Sequence, residues 1–450
     1  MNRLYFRVVG SLNVALLVAC SASPTAPASS YGFPPLSRSP LHARKLSSGL
    51  IQYVVIIVQE NRTFDNLFQG FPGANTASSG LNSKGRTIAL RPESLTAPWN
   101  IYHSHHNFET EYAGGQLNGF DNARSDCGGV CLPSRVRAYS YVPQADVGPY
   151  WTMAQSYTIA DDMFQSNEGP SFPAHQYLIS GTSSTSDGSS QLASENPGQG
   201  MGGCDSPYGT QVTTIDATGQ QGSPVFPCFN RTSLMDLLDE NSLTWHYYQA
   251  VSGPGLWNAP DAVSPTYNSS EFSTDVVVPS SQFLTDIGNG VLSNVTWITP
   301  TAQASDHPLI NDGSGPDWVA SVVNAIGESQ FWDNTAIFVV WDDWGGWYDH
   351  VAPPIYTSYE LGFRVPMLVI SPYANTGYVS HTQHEFGSIL KFTEEQFGLP
   401  SMGTTDERAD DLSDCFNFNQ SPTPFVAIPT IRGKEYFLAH KTSSRIVEDP

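Results

Sequence analysis

Unbroken runs of apolar residues, rather than alternation, mark the regular elements of this chain. Tyr53-Val54-Val55-Ile56-Ile57-Val58 is the clearest, and Asn294–Ile298, Ala336–Trp341 and Met367–Ile370 follow it. Each has the length of a strand and is bounded by polar or turn residues. A continuous apolar run predicts a strand covered on both faces, as in a parallel sheet. Between these runs the period lengthens. Asp317–Phe331 sets Val319, Val322, Val323, Ile326 and Phe331 near one face, which predicts a helix. Phe386–Phe397 does the same with Phe386, Ile389, Leu390 and Phe397, and the turn signal Gly398-Leu399-Pro400 follows. Strand–helix alternation predicts an α/β fold, a three-layer sandwich with a central mostly parallel sheet. The stretches near 75–150 and 183–229 show neither period and read as long loop insertions shaping a cleft or cap. With no strong linker inside 45–450, one domain with insertions is expected.

Composition narrows the class. The 450 residues are 40% hydrophobic and carry 20 basic against 42 acidic side chains, a formal charge of −22. Such a chain excludes nucleic acid as a partner, because neutralising phosphates takes clustered Lys and Arg. Only 14% of residues are charged, against about 25% in an ordinary soluble domain, and this sparse, acidic, loop-rich composition points to an exported protein. The N-terminus agrees. Arg3 and Arg7 precede a short apolar run, Val8–Ala19, too short to span a bilayer, so residues 1–19 read as a signal peptide. Leu17-Val18-Ala19-Cys20 resembles a bacterial lipobox, which implies a membrane tether through lipidated Cys20. Residues 20–44, rich in Ser, Pro and Ala, suit a flexible tether. The location expected is periplasm, outer membrane or cell surface, with ordinary secretion as the alternative. In an oxidising compartment Cys127 with Cys131, and Cys204 with Cys228, are candidate disulfides, leaving Cys415.

Candidate chemistry lies at the ends of the strands, where open α/β sheets place ligands. Glu60-Asn61 follows the first run and Asp342-Asp343 follows another. Adjacent acids repel unless a cation, an Arg or a proton compensates, and a divalent ion is one solution; capping or loop support is the alternative. Asn167-Glu168-Gly169-Pro170-Ser171-Phe172-Pro173-Ala174-His175 puts Ser171 after a tight turn and at the start of a helix. A hydroxyl there meets unpaired N–H groups and the positive end of the helix dipole, which suits an anion. A plain N-cap is the competing role. Histidines cluster in Tyr102-His103-Ser104-His105-His106, and His307 and His350 follow Asp306 and Asp349. Aligned imidazoles are natural donors to phosphate oxygens. No Gly-x-Ser-x-Gly elbow surrounds Ser171, which lowers a Ser-His-Asp acyl-transfer reading.

Taken together these segments resemble the bacterial phosphoesterase family that includes non-haemolytic phospholipases C and respiratory-burst-inhibiting acid phosphatases, within the alkaline-phosphatase-like superfamily. The matching pieces are Glu60-Asn61-Arg62-Thr63-Phe64-Asp65, His103-Ser104-His105 with Gly115–Phe120, Gly169-Pro170-Ser171, Asp306-His307-Pro308, Asp342–His350 with Pro353-Pro354, and Gly387–Phe392. The resemblance implies an alkaline-phosphatase-like fold and one divalent metal ion held by Glu60, Asn61, Asp342 and Asp343. It further implies Ser171 as nucleophile and metal ligand, with His103, His307 and His350 around the phosphoryl group. Oxygen ligands favour Ca, Mg or Mn over Zn. The chain departs from the family pattern at Asp342-Asp343, where Asp-Glu is frequent, at Ser171, where the phospholipase branch often has Thr, and at Glu385-Phe386-Gly387-Ser388, where Asp-His-Thr-Ser is frequent. His384 is left outside the catalytic set. The expected activity is metal-assisted hydrolysis of phosphate esters through a phosphoseryl intermediate on Ser171, an acid phosphatase first, with phospholipase C as the alternative. An inactive surface binding lipoprotein, with Trp341, Trp344 and Trp347 as a stacking platform, is the reading from another class.

Overall fold

The computed structural model describes residues 49–127 and 134–441. The expected leader, tether and Cys20 lie outside the described residues, and so does the Cys127–Cys131 pairing. Along the chain run strand β1 (Tyr53–Gln59), helices α1 (Phe64–Phe68), α2 (His105–Tyr112) and α3 (Gly148–Ser156), strand β2 (Thr158–Ala160) and helix α4 (Ser171–Ser180). Strands β3 (Trp245–Tyr248) and β4 (Val276–Val277), helix α5 (Gln282–Gly288), strand β5 (Val295–Ile298) and helix α6 (Gly315–Gly327) come next. Strands β6 (Thr335–Trp341), β7 (Met367–Ile370) and β8 (Tyr378–Ser380) and helix α7 (Phe386–Phe397) complete the frame.

The eight strands form one sheet in the order β4-β3-β5-β1-β6-β7-β2-β8. Seven run the same way. Only β7 is antiparallel to its neighbours β6 and β2. The central strands β1, β5 and β6 are buried almost throughout, which is why their sequences show no alternation. Adjacent residues on a strand point to opposite faces, and they identify the layers. On β3, Tyr247 stacks against Trp297, whose indole N–H donates to Leu178 O of α4, while Tyr248 meets Phe283 of α5. On β6, Phe338 meets Phe392 of α7 and Trp341 meets Tyr150 of α3. Helices α4 and α7 therefore cover one face and α3 and α5 the other, with α6 packed against α3 and α5. The fold is α/β with a large, mostly parallel central sheet.

The strand runs read from sequence fall on β1, β5, β6 and β7, and α7 has the ends its period predicts. The helix expected over Asp317–Phe331 runs instead over Gly315–Gly327, because Pro316 is tolerated in a first helical turn and Gly327 favours termination. The two irregular stretches hold more structure than their sequence showed. Residues 75–150 carry α2, the first residues of α3 and several short strands. Trp99, Ile101, Phe108, Phe120 and Tyr139 there pack with Trp344, Trp347 and Phe363 into a second apolar cluster. Around 183–229 the Cys204–Cys228 disulfide is present, beside a third cluster that joins Val212 and Phe229 to Phe172 of α4. Cys415 is a free, buried thiol.

Candidate active site

Strands β1 and β6 are parallel neighbours in a register that sets Gln59 beside Trp341. Their next residues, Glu60-Asn61 and Asp342-Asp343, therefore emerge side by side at the carboxyl edge of the sheet. Asn61 takes a left-handed turn, φ 57°, a conformation Asn tolerates better than most residues. Its backbone N–H donates to Asp342 Oδ1 at 3.0 Å. Its side-chain amide donates to Asp343 Oδ1 and Oδ2 at 3.0 and 3.2 Å. The facing turn is tight. Gly345, at φ 60°, donates its N–H to Asp343 Oδ1 at 2.7 Å, and any Cβ there would run into the Asn61 backbone.

Ser171 is the first residue of α4, after Pro170 at the cap position. Its hydroxyl does not cap the helix; it donates to Asp343 Oδ2 at 3.1 Å, and the Asn61 amide lies 3.5 Å away. The neighbouring Phe172 N–H is bonded to Asn196 Oδ1 at 3.0 Å. One turn on, at the i+4 position that shares a helix face with Ser171, His175 directs Nε2 at Glu60 Oε1, 3.1 Å, and at Asp342 Oδ2, 3.7 Å. Burial lowers the His175 pKa to about 4 against the opposing pull of Asp342, so the ring is neutral and able to ligate. His175 was not singled out in the sequence, where it is one histidine in an apolar helix; its spacing from Ser171 was the available signal.

His103 closes the other side. Its Nδ1 is 2.7 Å from Ile101 O, which makes Nδ1 the donor and leaves Nε2 to accept from the Asn61 amide at 2.9 Å. The same Nε2 is 3.7 Å from Asp343 Oδ2. His307 is pinned in the same manner, Nδ1 to Pro308 O at 2.8 Å, and its ring stands edge-on to His103 with centroids 6.3 Å apart. The other two histidines of the 103–106 run point elsewhere. His105 bonds Glu168 O, and His106 is exposed beside Glu109. Glu195 was also missed. Its carboxyl takes the His105 backbone N–H near His103, and burial raises its pKa to about 7.

The expectation for His350 needs correcting. Both its ring nitrogens are engaged in another group: Nδ1 with Asp65 Oδ2 at 2.6 Å and Nε2 with Asn75 Oδ1 at 3.0 Å. The turn at Gly345 and Gly346, both at positive φ, carries the chain away from Asp343 before His350 is reached. The tryptophan platform is also overturned. Trp341, Trp344 and Trp347 are fully buried, with their indoles on Asp306, Glu111 and the Arg62 guanidinium respectively.

A sequence model of the Phosphoesterase family matches residues 51–400, the span that contains all of these groups. The chain belongs to the Phosphoesterase family. Among curated relatives, the non-hemolytic phospholipase C of Pseudomonas aeruginosa is 26% identical over 87% of this chain and 60% of its own length. The phospholipase C B of Mycobacterium tuberculosis is 25% identical over 83% of this chain and 79% of its own. The chain thus spans about 60% of the length of the Pseudomonas protein. Among solved structures, a protein in the alkaline phosphatase superfamily from Vibrio parahaemolyticus aligns over 79% of this chain and 70% of its own, at 11% identity and a TM-score of 0.35.

Within this member of the Phosphoesterase family the donors at the strand ends fit a divalent cation. Glu60, Asp342 and Asp343 are three buried carboxylates in one group. Asn61 Oδ1 and Asp342 Oδ2 are buried without a hydrogen-bond partner, a costly state that a cation relieves. Ligand atoms of Glu60, His175 and Asp342 lie within 4.8 Å of one another. Ligands of the carboxylate, amide and hydroxyl type favour a hard ion, and His175 brings one nitrogen that Mn or Zn also accepts.

Proposed function

We propose that the chain hydrolyses phosphate esters by attack of the Ser171 hydroxyl, and that phospholipid head-group diesters are the preferred substrates. The observation that carries the reading is the Ser171 Oγ–Asp343 Oδ2 hydrogen bond of 3.1 Å, at a helix start that Ser171 itself does not cap. Asp343 accepts the hydroxyl proton as Oγ attacks phosphorus. The phosphorus–oxygen bond to the alcohol breaks, and the departing oxygen takes a proton from His103 or His307 in its imidazolium form, the Nε2–H being aimed by the pinned Nδ1–H. Water then cleaves the phosphoseryl ester by the reverse proton path, regenerating Ser171. Glu60, Asn61, Asp342, Asp343 and Ser171, with His175 beside them, would hold a divalent cation. Such an ion supplies charge stabilisation for phosphate oxygens and a lowered hydroxyl pKa.

The relatives' names favour diesters, and so does charge: three carboxylates crowd the nucleophile, and a diester brings one negative charge fewer than a monoester dianion. This reverses the order expected from sequence, where acid phosphatase stood first. The Ser171 nucleophile and the Asp342-Asp343 pair favour that second reading. Export is supported by the Cys204–Cys228 disulfide, which belongs to an oxidising compartment. No described helix is long and apolar enough to cross a membrane.

Parallel assays on p-nitrophenylphosphorylcholine and p-nitrophenyl phosphate test the proposal. Turnover of the diester analogue should exceed that of the monoester, and Ser171→Ala should lower both by about 10³-fold or more. Parental rates in Ser171→Ala would refute the nucleophile; a preference for the monoester would restore the phosphatase.

A further inference from the structure

Residues 194–196 are stitched to the turn that carries Ser171. The Tyr359 hydroxyl, which occupies the space a Cβ on Gly169 would need, donates to Ser194 O at 2.8 Å. On the other side Phe172 N–H donates to Asn196 Oδ1 at 3.0 Å. Glu195 is thus tied at both of its neighbours to the segment Gly169–Phe172 that contains Ser171. Its carboxylate takes the backbone N–H of His105 and lies within electrostatic reach of the His103 ring, the ring placed at the phosphoryl group. Ser194 is buried, whereas Glu195 keeps part of its surface open to solvent.

Among the described residues no Lys or Arg answers the Glu195 charge. Arg408 is committed to Glu360 and Glu385, and Arg364 to Asp349. A second acid adds to the field. Glu168 is 4% exposed, holds Oε2 3.8 Å from His105 Nδ1 and leaves Oε1 buried without a hydrogen-bond partner. Glu168 and Glu195 therefore flank His105, and both act on the Tyr359 hydroxyl. Glu60, Asp342 and Asp343 already outnumber a single divalent ion at the strand ends. A further carboxylate beside them repels an anionic substrate, unless the substrate brings a positive charge of its own.

In-line displacement fixes where that charge falls. The attacking and departing oxygens lie opposite one another on phosphorus. The departing alcohol points away from Ser171, and the oxygen of the retained head group lies to the side. The ammonium of an amino-alcohol ester stands two carbons beyond that oxygen, so it stays in the surroundings of the nucleophile, which Glu195 shares.

We propose that Glu195 is the specificity residue that receives the cationic end of the head group, so that the chain selects phosphate esters of amino alcohols over esters whose retained group is uncharged. This rests on attack by Ser171 at a phosphate ester, which fixes where phosphorus sits. Because Glu195 is partly exposed, it takes an ammonium without the full cost of burying both charges.

Calorimetry on the cation-loaded Ser171→Ala chain tests this without turnover. Phosphocholine should bind about tenfold or more tighter than methyl phosphate. Glu195→Gln in the same background should remove that preference, and Glu109→Gln, on the exposed face of α2, should retain it. In the active chain, Glu195→Gln should raise the KM of p-nitrophenylphosphorylcholine about tenfold or more relative to that of methyl p-nitrophenyl phosphate, and Glu195→Asp should recover part of the difference. Equal affinities for the two phosphates, or a preference that survives Glu195→Gln, would overturn the assignment. So would an equal fall in kcat on both esters with no change in their relative KM, the mark of a proton donor or a scaffold. Should Glu195→Gln fail to fold, the Ser171→Ala chain decides, with equal affinities overturning the proposal. Failure of the nucleophile shows separately, as parental turnover in Ser171→Ala, and leaves the binding preference to judge Glu195.

Discussion

Two buried carboxylate–histidine groups arise from the same stretch of sequence, Asp342 to His350, and their difference shows what separates a reactive cluster from a structural one. In the group of Asp65, Asp349 and His350, Arg364 supplies the countercharge. Its guanidinium binds Asp349 through Nε and Nη2 at 2.8 and 3.1 Å, and it is itself buried. The oxygens of Asp65 and Asp349 are also taken by backbone N–H groups of Ala77, His350, Asp65 and Val351. Charge and hydrogen bonds are closed within the protein. In the group of Glu60, Asn61, His175, Asp342 and Asp343, Asn61 Oδ1 and Asp342 Oδ2 have no such partner, and the Ser171 hydroxyl, the proposed nucleophile, stands on the third carboxylate. The first group is complete without a ligand, whereas the second is complete only with one.

Substitutions can break this contrast. The largest effect expected is that of Asp342→Asn, which should cut turnover by about 10³-fold or more. The melting temperature of the chelated protein should hold or rise, because one of three crowded buried charges is gone. Loss of melting temperature with turnover retained would erase the distinction between the groups. Arg364→Ala should do the opposite. It leaves buried carboxylates without their cation, at a cost of about 3–5 kcal/mol, and urea denaturation should show it while kcat of the folded fraction stays within about twofold. A smaller pair sharpens the comparison: His103→Gln should lower kcat by about 10²-fold or more, while His350→Gln should cost about 1–2 kcal/mol of stability and leave kcat near the parent.

The smallest effect expected is in the pH dependence of stability. Burial, reinforced by Asp406 for Glu394 and by Asp205 for Asp261, raises these two carboxyls to about 8. The folded chain keeps protons on them that the unfolded chain releases above about pH 4. Their contribution is therefore present below that pH and is lost as pH rises toward 8. His350 acts in the same direction. Burial pulls its pKa down, but the hydrogen bond and charge of Asp65 outweigh this and raise it. Thermal melts of chelated protein should show a lower melting temperature at pH 8 than at pH 5; the reverse order would show that these groups do not control the balance.

Much of the frame was legible because the strands that matter are buried on both faces, and burial leaves an unbroken apolar signature at β1, β6 and β7. The strand-end rule then located Glu60, Asn61, Asp342 and Asp343, and the register that sets them side by side needed only that β1 and β6 be neighbours. What sequence hid was distance folded away by turns and helices. His350 looked like part of the Asp342 motif because it is seven residues on from Asp343, yet two glycines redirect the chain. His175 drew no notice in the sequence until α4 set it one turn from Ser171. The short strands between 75 and 150 follow no period because their apolar residues are organised by contact with Trp344 and Trp347, a tertiary feature.

A crystal of the cation-loaded protein soaked with orthovanadate tests the central claim most directly. The account predicts vanadium bonded to Ser171 Oγ, a single ion touching Glu60, Asn61, Asp342 and Asp343, and His103 and His307 facing the remaining vanadate oxygens. Vanadate bound elsewhere, or seated here with the Ser171 hydroxyl still on Asp343 and no bond to vanadium, would contradict it.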